Sequence, residues 1–157
     1  MDRPLFSPIT IRAARASDLA ELASLYHALW PDESVEEHRR ELIEMTNGNT
    51  GLACANLVAE TMDGRLVGFL QVALRSHADG CDRSRPVGFI EGWYVIPACR
   101  RQGIGRRLLA AAEDWARSQS CQEMASDTQI ENEISQAAHQ AQGYQVVDRC
   151  VHFRKPL

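Results

Sequence analysis

The stretch from residue 87 to residue 118 constrains the fold more than any other. Residues 87–96 read Val-Gly-Phe-Ile-Glu-Gly-Trp-Tyr-Val-Ile. That density of β-branched and aromatic side chains predicts a central strand. Gly88 and Gly92 within it signal a bulge or a close backbone approach. After an interval at 97–102, Gly103 opens a helical pattern to Ser118, with Leu108, Leu109, Ala112, Trp115 and Ala116 as its apolar stripe. A strand that feeds a helix through a glycine turn belongs to a layered α/β architecture.

The turn itself, Arg100-Arg101-Gln102-Gly103-Ile104-Gly105, is built for an anion. Backbone N–H groups at a helix start are unpaired and carry partial positive charge. Glycines let a phosphate approach that backbone closely, and Arg106 and Arg107 add charge. A Walker A loop needs Lys-Ser/Thr where Arg106-Arg107 stands. A dinucleotide fingerprint needs a third glycine where Leu108 stands, and glycines directly after the strand. Asp127, about twenty residues on, is the one feature that fits this rival.

The remaining segments alternate. Residues 9–13 predict a strand. Ser17 is an N-cap candidate for a helix through Leu22, Leu25, Tyr26 and Leu29, ending at Trp30-Pro31. Ser34 and Glu37 form a capping-box pattern for an acidic second helix to about Met45. Residues 46–55 read as a loop. Strands are expected over 56–61 and 66–74, joined through the Asp63-Gly64 turn signal. Residues 75–86 form a polar loop. A short strand over 123–128, a helix over 130–141 with Gly143 at its C′ position, and last strand material over 144–155, broken near Asp148, complete the chain.

The bulk numbers exclude several classes. A chain of 157 residues fits one domain, expected to span 1–157. A net charge of −4 disfavours nucleic-acid binding and suits a cationic small-molecule partner. Cys54, Cys81, Cys99, Cys121 and Cys150 are odd in number and lack a CxxC pair. A disulfide framework or metal site is therefore not expected, and a reducing cytoplasm is. Residues 1–6 lack a signal peptide's apolar region, and no apolar run of membrane-spanning length occurs.

The pattern of Arg100, Gly103 and Gly105 after a strand and before a helix resembles the pyrophosphate loop of the GCN5-related N-acetyltransferase (GNAT) superfamily. The element order resembles it along nearly the whole chain. That resemblance implies a mixed, mostly antiparallel α/β sheet with a splayed strand pair, flanked by about four helices. It also implies acetyl-CoA as cosubstrate and no metal. Arg100, Arg101, Gln102, Gly103, Ile104, Gly105 and Arg106 would hold the pyrophosphate. The backbone of Trp93, Tyr94 and Val95 would grip the acetyl and pantetheine groups, and Asn132 would touch the coenzyme arm. Where relatives often carry a tyrosine that protonates the leaving thiolate, this chain has His139. Either His139 or solvent would serve, because a thiol of pKa about 8.5 leaves readily.

Finer strings are similar to the aminoglycoside 6′-N-acetyltransferases: Leu29-Trp30-Pro31, Gly80-Cys81-Asp82, Phe89-Ile90-Glu91-Gly92, and above all Met124-Ala125-Ser126-Asp127-Thr128. Acetylation of an antibiotic 6′-amine, and hence resistance, is what this implies. Glu91 sits among apolar residues, where an unpaired charge is expensive. Simple alternation puts Glu91, Trp93 and Val95 on one face. Glu91 is the expected base for the amine; the alternative is a strand carboxylate paired with an arginine. The resemblance makes Trp30, His77, Glu91, Asp127 and Asp148 substrate contacts, with Asp148 reaching across a homodimer. Asp127 could instead cap the helix near Ile130, and Trp30 could be a core residue. Other functions left open are acetylation of a different small amine, and a catalytically silent coenzyme sensor.

Overall fold

A computed structural model describes residues 8–48 and 51–157. Residues 1–6, and positions 49 and 50 of the expected loop, lie outside the described residues. The elements run β1 (Thr10–Ala13), α1 (Leu19–Leu29), α2 (Val35–Thr46), β2 (Cys54–Glu60), β3 (Leu66–Arg75), β4 (Val87–Val95), α3 (Ile104–Ser118), β5 (Met124–Ser126) and α4 (Glu133–Ala141). The sheet order is β1-β2-β3-β4-β5. The first three pairings are antiparallel and β4–β5 is parallel. A mostly antiparallel sheet of this order excludes the dinucleotide-binding rival, whose sheet is mostly parallel.

Two apolar layers sandwich the sheet. On one face Leu22, Tyr26, Leu42 and Phe69 join α1 and α2 to the strands. On the other, Leu70, Val72 and Ile90 meet Ile104, Leu108, Leu109 and Ala112 of α3. The expected stripe of α3 is the buried one, except that Trp115 is only partly covered. Ser34 caps α2 as its sequence pattern requires: its Oγ accepts from Glu37 N–H at 3.2 Å, and Glu37 accepts from Ser34 N–H at 2.7 Å. Ser17 does not cap α1. A 3₁₀ turn over Ala16–Asp18 precedes the helix, and Asp18 takes the structural role. Its carboxylate accepts from Arg15 N–H and from Arg12, and the same Arg12 also donates to Glu60. Hydrogen bonding from Arg12 holds the Asp18 and Glu60 carboxyls below the usual carboxylate range.

One feature of β4 positions everything that follows. Gln71 of β3 faces Gly92, and Val72 faces Ile90. Glu91 has no opposite number and is the extra residue of a bulge. The bulge resets alternation. Ile90, Trp93 and Val95 pack toward α3, whereas Tyr94 packs toward α1, and Ile96 at the strand's end touches both layers. The expectation that Glu91 shares a face with Trp93 and Val95 is therefore wrong: Glu91 lines a cleft with Trp30 and Tyr26 on the α1–α2 side.

Pairing of β4 with β5 covers only Gly88, Phe89 and Ile90. Past the bulge the two strands part, which is the expected splay. The expected last strand does not form: residues 144–157 carry no strand among the described residues, and Val146, Val147, Val151 and Phe153 are exposed. Tyr144 anchors the start of this segment through its hydroxyl to Glu113 at 3.3 Å. Burial pushes that phenol above its ordinary range. Val147 lies against Gly80, where a Cβ would sit 2.7 Å from the valine Cβ.

Candidate active site

The anion turn forms as the glycines require. Gly103 caps α3 at φ +76°, and Arg101 is also left-handed at φ +62°. A non-glycine residue there is uncommon and marks a turn held for a purpose. The Arg107 N–H bonds to the Gly103 carbonyl at 3.1 Å. The amides ahead of it have no acceptor within the helix, so they and the helix dipole face outward together. Arg100 stands behind the turn, its Nε donating to the Val95 carbonyl at 2.8 Å and its guanidinium 5.5 Å from the Tyr94 ring. Gln102 donates to Ala98, and Arg107 reaches back to the Ile9 carbonyl. Gly105 lies close under Trp93: a Cβ there would sit 3.2 Å from the indole, which would have to give by a few tenths of an ångström.

On the splayed side, His139 of α4 stands edge-on to Trp93 and to Tyr144, with centroids 5.3 and 5.7 Å away. Its Nδ1 lies 2.7 Å from the Ser135 carbonyl, and its Nε2 lies 2.9 Å from Ser126 Oγ. A carbonyl only accepts, so the proton is on Nδ1, and Nε2 accepts from the serine hydroxyl. The resting ring therefore aims no proton outward. Asn132 caps α4, its side chain accepting from Ser135 N–H at 3.0 Å. That capping starts the helix three residues later than expected and takes the role weighed for Asp127.

Glu91 projects from the bulge into a cleft of about 540 Å³. Arg75 grips it at two points, Nε to Oε1 at 3.0 Å and a terminal nitrogen to Oε2 at 2.8 Å. The arginine pairing weighed from the sequence is thus present. Its hydrogen bond to Glu91 first, and the field of Asp127 last, hold the Arg75 guanidinium above its ordinary pKa. Trp30 lines the cleft and also packs edge-on to Tyr26 at 5.1 Å, so its core and cleft roles coexist. Asp32, Glu33, His38 and Glu41 complete the acidic wall. The sequence reading missed these four, although an acidic α2 beginning just after Trp30 was the available signal. His77, Asp127 and Asp148 do not line this cleft. His77 is exposed beside Ser76 at 3.1 Å, and Asp148 bonds the Arg149 N–H at 2.7 Å.

The arrangement joins a main-chain anion cradle, a strand edge left open past a bulge, and a carboxylate-rich cleft. Residues 20–144 match the model of the acetyltransferase (GNAT) family. An aminoglycoside N(6′)-acetyltransferase type 1 of Klebsiella aerogenes is 43% identical over 151 residues, covering 96% of this chain and 98% of the relative. The solved aminoglycoside N-acetyltransferase AAC(6′)-Iy in complex with CoA superposes with a TM-score of 0.88 at 35% identity, covering 99% of each chain. The same enzyme in complex with the bisubstrate analogue CoA-S-monomethyl-acetylneamine gives 0.86 at 35% identity, covering 96% of this chain and 100% of the other.

Proposed function

The chain belongs to the acetyltransferase (GNAT) family, and from that premise we propose that it moves the acetyl group of acetyl-CoA onto the 6′-amine of aminoglycosides. The observation that carries this reading is the placement of Glu91: on the β4 bulge, in an acidic cleft, beside the strand edge that continues toward the α3 turn. A polycation needs carboxylates, and a thioester needs main-chain donors.

The pyrophosphate lies on the amides of residues 103–106, with Arg101 and Arg106 outside them. The pantetheine arm runs along the open edge at Trp93, Tyr94 and Val95, near Asn132, and a β4 N–H polarises the thioester carbonyl. The acceptor arrives as an ammonium, since aliphatic amines titrate at roughly 8–10. Arg75 occupies two of the roughly four lone-pair sites of Glu91, leaving outward ones for the ammonium protons. Glu91 takes one proton, the freed amine attacks the carbonyl carbon, and the nitrogen of the adduct gives its second proton to solvent as the C–S bond breaks, leaving the amide and a CoA thiolate. Solvent supplies the thiolate's proton, or His139 does once its ring is protonated at Nε2. Trp30 stacks on the sugar, and His77 and Asp127 bind outer ammonium groups.

We assign residues 1–157 to one catalytic domain and place it in the cytoplasm, where free cysteines stay reduced. No described helix is long and apolar enough to cross a membrane, and all five cysteines are free thiols. We assign a homodimer in which Asp148 of one copy approaches the acceptor of the other. The exposed valines and Phe153 of residues 146–153 support it, since they lack the burial their alternation is suited to.

Thiol release from acetyl-CoA tests the reading. Acceptors bearing a 6′-amine should give turnover, and Glu91→Ala should lower kcat strongly while coenzyme binding persists. Turnover with polyamines but not with 6′-amines would give the activity to another amine acceptor.

A further inference from the structure

The acidic wall of the cleft contains an arrangement whose geometry the acyl-transfer reading does not explain. His38 is 2% exposed, and its Nδ1 is buried without a hydrogen-bond partner. Its other nitrogen, Nε2, lies 2.9 Å from the Trp30 carbonyl. The carbonyl accepts, so Nε2 carries a proton, and in the neutral ring Nδ1 presents a lone pair. Facing that lone pair are Glu33 Oε2 at 3.6 Å and Glu41 Oε2 at 3.9 Å. Three acceptors converge with no donor among them, and their ligand atoms all lie within 4.8 Å of one another.

We propose that Glu33, His38 and Glu41 form a binding site for a divalent cation of the Zn²⁺ type at the rim of the cleft. The spacings decide between occupants. A proton on Nδ1 would leave both carboxylates beyond the 2.7–3.2 Å typical of a hydrogen bond. An ammonium nitrogen bonded to all three at about 2.8 Å would hold them about 4.6 Å apart. A Zn²⁺ ion with arms of about 2.1 Å sets tetrahedral ligand atoms about 3.4 Å apart, so the two exposed carboxylates meet it by closing on His38 Nδ1 from 3.6 and 3.9 Å, a smaller movement than the spreading an ammonium requires. The Nε2–H to backbone carbonyl bond is also the usual support of a metal-bound imidazole, fixing its tautomer and orientation. His38 and Glu41 are one turn apart on α2 and share a face, while Glu33 closes the set from just before the helix. A water would fill the fourth position. The bound cation cancels charge on two cleft carboxylates and so raises KM for a cationic acceptor. This consequence, unlike the binding itself, rests on the acceptor assignment above.

Calorimetric titration of the purified chain with ZnCl₂, without substrate, tests the site, and the nitrogen NMR signals of His38 are followed in parallel. Glu33→Gln/Glu41→Gln is the control; both side chains are more than half exposed, and all five thiols remain. The proposal expects one Zn²⁺ per chain, a stoichiometric shift of the His38 Nδ1 resonance with Nε2–H retained, and at least tenfold weaker binding in the double variant. Equal binding by both proteins would place the zinc on thiols and overturn it. Absence of zinc binding, with a raised acceptor KM in the double variant, would make the cluster an ammonium subsite and overturn it equally.

Discussion

Replacing Gly92 with alanine should damage the fold and the acceptor cleft together. The added Cβ would fall 2.3 Å from Cη2 and 2.7 Å from Cζ2 of Trp30, and 3.3 Å from a Leu29 methyl. Carbon atoms in contact sit at about 3.5–4.0 Å, so the indole must retreat by more than about 1 Å. Tyr26, 1% exposed, stands edge-on to it and Phe69 lies 6.0 Å away by centroid, so the partly exposed indole has only the cleft to move into. Overpacking of this kind costs about 1–3 kcal/mol. At roughly 2–4 °C per kcal/mol for a chain of this size, Tm should fall by about 2–12 °C. Because Trp30 lines the cleft, KM for the acceptor should rise more than KM for acetyl-CoA. Thermal unfolding and two-substrate kinetics read both effects. Trp30→Leu in the same chain should relieve the clash, giving a coupling of about 1 kcal/mol or more in a double-mutant cycle. Unchanged Tm and acceptor KM in Gly92→Ala, or strict additivity with Trp30→Leu, would refute the reasoning.

Three further outcomes are expected. Gly103→Ala meets nothing nearer than an Arg106 nitrogen at 3.9 Å, so its cost is the left-handed backbone alone, about 1–2 kcal/mol; it should weaken CoA binding in a titration and leave β4 intact. Asp18→Asn should cost about 3 kcal/mol at neutral pH, the low end for a broken buried pair because Glu60 still holds Arg12. The folded Asp18 carboxyl lies below its unfolded value of about 3.9, so the wild-type advantage is full above about pH 4 and is lost as pH falls through the folded value; Tm against pH for both proteins checks this. His139→Gln should lower kcat by less than about tenfold, since the resting ring offers no outward proton; a loss of 10² or more, the scale of a general acid, would make the ring the donor.

The strand–turn–helix centred on Gly103 was legible because its residues carry their own reasons: glycine where φ is positive, apolar spacing where α3 meets the sheet. Ser34–Glu37 was legible for the same local cause. What escaped the sequence depended on distant partners. One extra residue at Glu91 reverses the facing of every later position in β4, and no periodicity count shows it until β3 is laid alongside. Arg75, Glu91, Glu33 and His38 come from separate elements, so their cleft existed only once the chain was folded. Ser17 lost its capping role because Arg12 draws Asp18 into place. The strand expected after Tyr144 from alternation does not form, because a strand needs a ladder partner and none pairs with this segment among the described residues.

The most direct measurement is the position of the new amide. Treat an aminoglycoside carrying several amines with acetyl-CoA and the purified chain, and assign the product by proton–carbon NMR. A single acetyl group on the 6′-nitrogen is the predicted result. Acetylation at another ring amine, or scattered over several, would contradict the account of how the cleft presents its acceptor to the thioester.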